Sequence, residues 1–354
     1  MTPVKRVNRF FMLATAPFLG LLLCLLLYRP SLTLDLETQK FLPDPGPLQT
    51  TDAIGRDLEL AKTSASSTTH AISATAKLYR QTTSTMGTLV DQARTQAARP
   101  EQIYNRRISS RLGFPYDVID SSRITIELYR LNPGDYTGYA MKVKLKDQSA
   151  MTMSLPLKGL GSSETTLQAV SRYGAVAGIN AGGFADQDGK RYPLSTTIVD
   201  GKYLTGFEAS YKDLSFVGLN QEGKLIGGKF NSRQQLDALN PRFGASFVPV
   251  LLQDGYKTAI PAKWQTAPRR APRTAIGSYK DDQLLIIVAE GYNENGSSGA
   301  TLDEIQDKLF KMGVINAYNL DGGGSTSLIF KGRVVNKPSD GVLRSVPTSF
   351  LFFK

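Results

Sequence analysis

Between Phe10 and Tyr28 the chain carries no charged residue. A run of about 19 uncharged, mostly apolar residues is long enough to cross a bilayer as a helix. Such a run cannot form the wetted surface of a soluble domain, so it separates the N-terminus from the remainder of the chain. Lys5, Arg6 and Arg9 precede it. By the positive-inside tendency the N-terminus stays cytoplasmic and the remainder is exported. A cleaved signal peptide is the competing reading, but its apolar core is usually shorter and ends at small residues. Here the run ends Leu25-Leu26-Leu27-Tyr28-Arg29-Pro30. Residues 1–29 are therefore expected to be a cytoplasmic tip and an uncleaved single-pass anchor, with the C-terminal part extracytoplasmic.

Residues 30–51 hold Pro30, Pro43, Pro45 and Pro47 and read as an extended linker. Residues 52–113 read as a stalk. Leu58, Ala65, Ile72, Tyr79, Met86 and Ala93 recur every seven residues, with Ile54, Ala61 and Leu89 on companion positions that Thr68, Thr75 and Thr82 interrupt. This weak heptad favours a long helix, with a homodimer through the stalk as its natural partnership. A disordered Ser/Thr-rich spacer is the alternative. Pro100 is expected to end the helix.

The domain is read from residue 114 to 354. Of the 42 Lys/Arg and 31 Asp/Glu, 14 and 8 fall in residues 1–114, so the net charge of +11 is shared between stalk and domain. No basic cluster interleaved with aromatics occurs, so nucleic acid is not an expected partner. The single cysteine, Cys24, lies in the apolar run, and the single histidine, His70, in the stalk. An intramolecular disulfide, a Ser-His-Asp triad and a thiolate or His-ligated metal are thereby excluded from the domain. Its chemistry rests on carboxylates, Arg, Lys, Tyr, hydroxyls and backbone. No cofactor is required, and calcium is the kind of hard cation an oxygen-lined site would take.

Short strand-like runs alternate with turn signals: Ile124–Leu131, Met141–Leu145, Val176–Ile179, Leu194–Val199, Leu214–Leu219 and Leu284–Ala289. Asp200-Gly201 predicts a hairpin. Two helices are expected, near Thr165–Tyr173 and Leu302–Met312, the second with Thr301 and Glu304 as a capping box and Gly313 as its stop. Many strands with few helices in irregular order predict an α+β domain with a mixed β-sheet core.

The chemistry is expected where strands run into glycine turns. Asn319-Leu320-Asp321-Gly322-Gly323-Gly324-Ser325-Thr326 follows a helix and an apolar approach. Three consecutive glycines cost backbone entropy and make sense where the chain passes close to a ligand, and successive N–H groups there can form an anion nest. Asp321 at its mouth can serve as acid, base or cation ligand. Gly178-Ile179-Asn180-Ala181-Gly182-Gly183-Phe184 is a second such turn, in which the Asn180 amide suits sugar hydroxyls. Arg273, in Pro272-Arg273-Thr274-Ala275-Ile276-Gly277, is a fork donor for phosphate. Glu290 ends a buried strand, a setting that suits a general acid. Arg344 follows the turn Pro338-Ser339-Asp340-Gly341 and is a further phosphate candidate. Each has an ordinary structural reading too: a capped turn, a solvated Arg, a paired strand end.

Taken in order, Gly-Ile-Asn-x-Gly-Gly-Phe, Arg-Thr-Ala-Ile-Gly, the strand ending in an acid plus Gly, Asn-Leu-Asp-Gly-Gly-Gly-Ser-Thr and Asn-x-Pro-Ser-Asp-Gly-x-x-Arg resemble the phosphodiester glycosidase family over about residues 120–354. Tyr292 stands where family members often have Arg. The resemblance implies hydrolysis of the glycosidic bond of a sugar-1-phosphodiester. The expected substrate is an envelope glycopolymer or exopolysaccharide, and the expected partner a glycan or sugar phosphate. Asp321 and Glu290 would be its catalytic carboxylates. Asn180, Gly182, Gly183, Arg273, Gly322, Gly323, Gly324, Ser325, Thr326 and Arg344 would bind substrate. A non-catalytic glycan-binding module of the envelope and a metal-dependent phosphoesterase are the alternatives.

Overall fold

The structure is a computed structural model that describes residues 3–28, 47–292 and 298–354. Most of the proline-rich linker expected over residues 30–51 lies outside the described residues. The chain divides into two compact units, Met1–Thr88 and Leu89–Lys354.

The apolar run forms the helix Pro3–Tyr28. Its Val7–Tyr28 portion, 22 residues of mean hydropathy 2.5 with none buried, fits a membrane anchor or a signal sequence. The stalk sequence forms one helix, Pro47–Leu112. It does not stop at Pro100. Proline removes a donor and crowds the preceding turn, but tertiary contacts hold the turns beyond it. Tyr104 and Ile108 are buried, Tyr104 stacks on Tyr279 with ring centroids 5.0 Å apart, and Glu101 ion-pairs with Lys144.

The rest of the second unit is α+β, as expected, and the described strand ladders are antiparallel. An eight-stranded sheet runs Asp117–Asp120, Ile124–Leu131, Gly138–Leu145, Leu284–Ala289, Arg273–Ser278, Asn316–Leu320, Val250–Gln253 and Tyr256–Lys257 in spatial order. Because side chains alternate across a strand, it has two apolar faces. One carries Leu285, Ile287, Ala275 and Ala317 and packs on Leu302, Ile305 and Leu309 of the helix Leu302–Met312, and on Ile108. The other carries Ile126, Met141, Ile286, Val288 and Leu320 and packs on Leu219, Phe243, Phe350 and Phe352 from two five-stranded sheets. One of these contains Ser215–Asn220 and Pro241–Phe247; the other contains Leu328–Phe330, Ala177–Asn180, Ser349–Phe352 and Met151–Ser154.

Local signals account for the boundaries. Thr301 and Thr165 form complete capping boxes with Glu304 and Gln168, and Gly313 ends its helix at φ 80°. Asp200-Gly201 turns with φ 48° and 74°, the conformation of a tight hairpin. The strand expected over Leu194–Val199 shrinks to Ile198–Val199. Ser195 sits at φ 52°, and Thr196 and Thr197 bond sideways to Glu208 and Thr205 instead of extending a ladder.

Candidate active site

Three strand ends converge beside the glycine turn. Asn316–Leu320 delivers Asp321, Ala177–Asn180 ends on Asn180, and Arg273–Ser278 begins on Arg273. Asn180 joins them. It is fully buried. Its Nδ2 donates to the Asp321 carbonyl at 2.6 Å. Its Oδ1 accepts from Thr274 Oγ1 at 2.8 Å and from the Ser327 amide at 3.1 Å. The Asp321 amide donates to Ala181 O at 3.0 Å. Asn180 thus clips both ends of the turn to the large sheet. Its amide is engaged by these protein partners.

The turn itself is built from inside. The Gly322 amide donates to Asp321 Oδ1 at 3.0 Å. The Gly323 amide donates to Pro272 O at 2.8 Å, and a short 3-10 turn runs on through Ser325. These two N–H groups have internal acceptors. Gly324 is glycine for another reason. A Cβ there would overlap the Arg344 guanidinium and the Asp340 carboxylate. Arg344 Nη2 donates to Asp340 Oδ2 at 2.7 Å, so this ion pair lies directly against the turn. Asp340 is the site residue that sequence reasoning missed. Pro-Ser-Asp-Gly is a sufficient turn by itself, so its place in the Asn-x-Pro-Ser-Asp-Gly-x-x-Arg motif does not single the Asp out; a triple glycine that needs something close to it is the second signal.

Ser325 and Thr326 are buried beneath the turn, and neither hydroxyl has a hydrogen-bond partner among the described residues. Gly182 and Gly183 make room for protein: added Cβ atoms would meet Ala245 and the Phe247 ring. All four are buried. They shape the site from behind.

Arg273 is 6% exposed. Its Nε donates to Ala300 O at 3.3 Å and its Nη2 to Pro268 O at 2.9 Å. No carboxylate among the described residues ion-pairs with it. Burial holds its pKa down to about 10 from the ordinary 12.5. A buried guanidinium without a counter-charge is costly and is suited to an anion. Added at Gly322, a Cβ would lie 3.8 Å from Arg273 Cδ, so this cation borders the glycine turn.

Glu290 lies on the far side of Arg273. Ala289 pairs with Arg273, and Thr274 pairs with Leu320. The Glu290 and Asp321 backbones therefore flank one strand, roughly 10 Å apart. Glu290 Oε1 accepts from the Lys337 amide at 2.7 Å and Oε2 from Thr137 Oγ1 at 3.3 Å. It holds the segment that carries Asp340 and Arg344. It also lines a cleft of about 580 Å³ with Thr137, Arg270, Tyr292, Ser298 and Lys337. Among the described residues, no three His, Cys, Asp or Glu side chains gather as a metal site.

The sequence profile of the phosphodiester glycosidase family matches residues 173–353. An uncharacterized SPbeta prophage-derived protein of Bacillus subtilis is 31% identical over 192 residues, covering 53% of this chain and 29% of its own length. The N-acetylglucosamine-1-phosphodiester alpha-N-acetylglucosaminidase of Mus musculus is 27% identical over 163 residues, covering 42% of this chain and 30% of its own. The chain thus spans less than a third of the length of the curated relatives it matches. The zebrafish enzyme's catalytic domain, auto-inhibited by its pro-peptide, superposes with a TM-score of 0.55 at 20% identity, covering 66% of this chain and 85% of that one. That likeness concerns the fold.

Proposed function

The chain belongs to the phosphodiester glycosidase family, and from that premise we propose that it hydrolyses the glycosidic bond of a sugar-1-phosphodiester. One observation carries the reading: Arg273, a buried cation with no carboxylate partner among the described residues, lies against the turn that presents Asp321. A phosphodiester supplies the missing counter-charge. Once C1–O breaks, the phosphomonoester leaves as an anion and needs little protonation. The protein has to stabilise oxocarbenium-like charge at C1 and direct water to it. Asp321 is the carboxylate for that task. Water forms the new bond to C1, its proton passes to Asp321, and the bond electrons leave with the phosphate oxygen. Arg273 holds the phosphate, and Arg344, set against Gly324 by Asp340, is the second cation. Glu290 acts by holding the 337–341 segment in place. The cleft beside it, with Tyr292 at its edge, takes the rest of the substrate.

Lys5, Arg6 and Arg9, ahead of the apolar run, support a domain outside the cytoplasm in this reading. An envelope glycopolymer or exopolysaccharide is the substrate that location offers.

The test is hydrolysis of sugar-1-phosphodiesters by the detergent-solubilised full chain in ¹⁸O-labelled water, with and without EDTA. Label in the free sugar, unchanged by EDTA, is the predicted result. Label in the phosphate would make the protein a phosphoesterase. Saturable binding with no product would make it a glycan-binding module.

A further inference from the structure

The helix Pro47–Leu112 is unlike the rest of the molecule. From Ile54 to Met86 almost every side chain is exposed, and helices in water owe most of their stability to packing of an apolar face. The large apolar side chains of this stretch are not scattered. With Leu58, Ile72, Tyr79 and Met86 at heptad position a, Ile54 falls at d and Leu78 at the flanking g, and only Leu60 lies off the seam. Ile72 is 64% exposed and Tyr79 75%.

Threonines at d would spoil such a seam if their hydroxyls, buried between helices, lacked partners. Here each already has one. Thr68 donates to Ser64 O, Thr75 to Ala71 O and Thr82 to Leu78 O, each at 2.9 Å. With the hydroxyl turned back onto its own helix, each can enter an apolar interface without leaving a polar group unpaired. No a or d position between Ile54 and Met86 carries a charge. Asp57 falls at g and Lys62 at the next e, the pair that meets across a parallel two-stranded coiled coil.

We propose that a second copy of this chain covers this seam, forming a parallel, in-register coiled-coil dimer over about Ile54–Met86. The single complementary pair, Asp57 at g and Lys62 at e, and the charge-free seam argue for self-pairing. The parallel sense comes from the single-pass anchor expected from the sequence, since two copies inserted the same way share one direction. The pairing itself does not depend on the catalytic reading.

Single cysteines in a Cys24→Ala background test it, in full-length protein in native membranes and in detergent. Mild oxidation is expected to link Ile72→Cys, Thr75→Cys and Tyr79→Cys several-fold faster than Ser73→Cys, Lys77→Cys and Ser84→Cys. Sugar release by the same variants should stay unchanged. Linking at equal rates around the helix, linking confined to one position as an antiparallel pair would give, or no linking with a monomeric mass in detergent would each overturn the dimer. Loss of linking in detergent alone would also overturn it, because the membrane would then supply the association. None of these results bears on whether the domain hydrolyses phosphodiesters.

Discussion

Replacing Arg273 with Met should remove activity while leaving the fold nearly as stable, because the forces on this buried cation nearly balance. Burial lowers the guanidinium pKa to about 10 from 12.5, which corresponds to about 3 kcal/mol disfavouring the charged form. Against this stand two hydrogen bonds to backbone carbonyls, at 2.9 and 3.3 Å, together worth roughly 3–6 kcal/mol for a charged donor and nearer the low end because one of them is long. Ala300 O keeps the Ala271 amide as a partner when the Arg is lost. Arg273→Met should therefore change stability by no more than about 1–2 kcal/mol, a few degrees in melting temperature. Loss of an anion anchor, by contrast, should lower turnover roughly 10²–10³-fold. Inorganic phosphate should raise the melting temperature of the wild type through linkage and leave Arg273→Met unmoved. The free Arg273 has a pKa below its unfolded value, so it loses its charge progressively as pH rises through about 10. The phosphate effect should therefore be full up to about pH 9 and fall as pH rises through the pKa. Thermal unfolding with a phosphate titration reads all of this. Destabilisation by more than about 4 kcal/mol, or equal phosphate stabilisation of both proteins, would refute the reasoning.

Other parts of the site make separable predictions. Asn180→Ala strands the Asp321 carbonyl, the Thr274 hydroxyl and the Ser327 amide, and should cost about 3 kcal/mol in chemical denaturation as well as activity. Gly324→Ala places a methyl against the Arg344–Asp340 pair; the fold should persist by circular dichroism while KM rises. Glu290→Gln faces one of its two hydrogen-bond donors with an NH₂ group, at the Lys337 amide or at Thr137. Steady-state kinetics should show a larger change in KM than in kcat, and the reverse would make Glu290 a catalytic residue after all.

Much of the fold is legible in the chain because its signals are local. The helix Leu302–Met312 carries its own cap and stop, and Leu284–Ala289 is a continuous apolar run, the mark of a strand buried on both faces. Elements that could not be read depend on distant partners. The helix passes Pro100 because Tyr104 meets Tyr279. Pro241–Phe247 is a strand because Ser215–Asn220 pairs with it. The site divides in the same way. Asp321, Arg273 and Arg344 stand out by residue type and by resemblance. Asn180 stands out too, but its task is not readable, because the three groups it binds come from segments 94, 141 and 147 residues away. Asp340 is legible only as part of a turn, because its pairing with Arg344 acquires meaning only against Gly324.

Catalysis is assigned to one carboxylate. Full-length wild type and Asp321→Asn should be incubated with a panel of sugar-1-phosphodiesters, with free reducing sugar and phosphomonoester measured separately. The predicted result is release of both products by the wild type and neither by Asp321→Asn, with the variant's melting temperature retained. Full sugar release by Asp321→Asn would contradict the assignment.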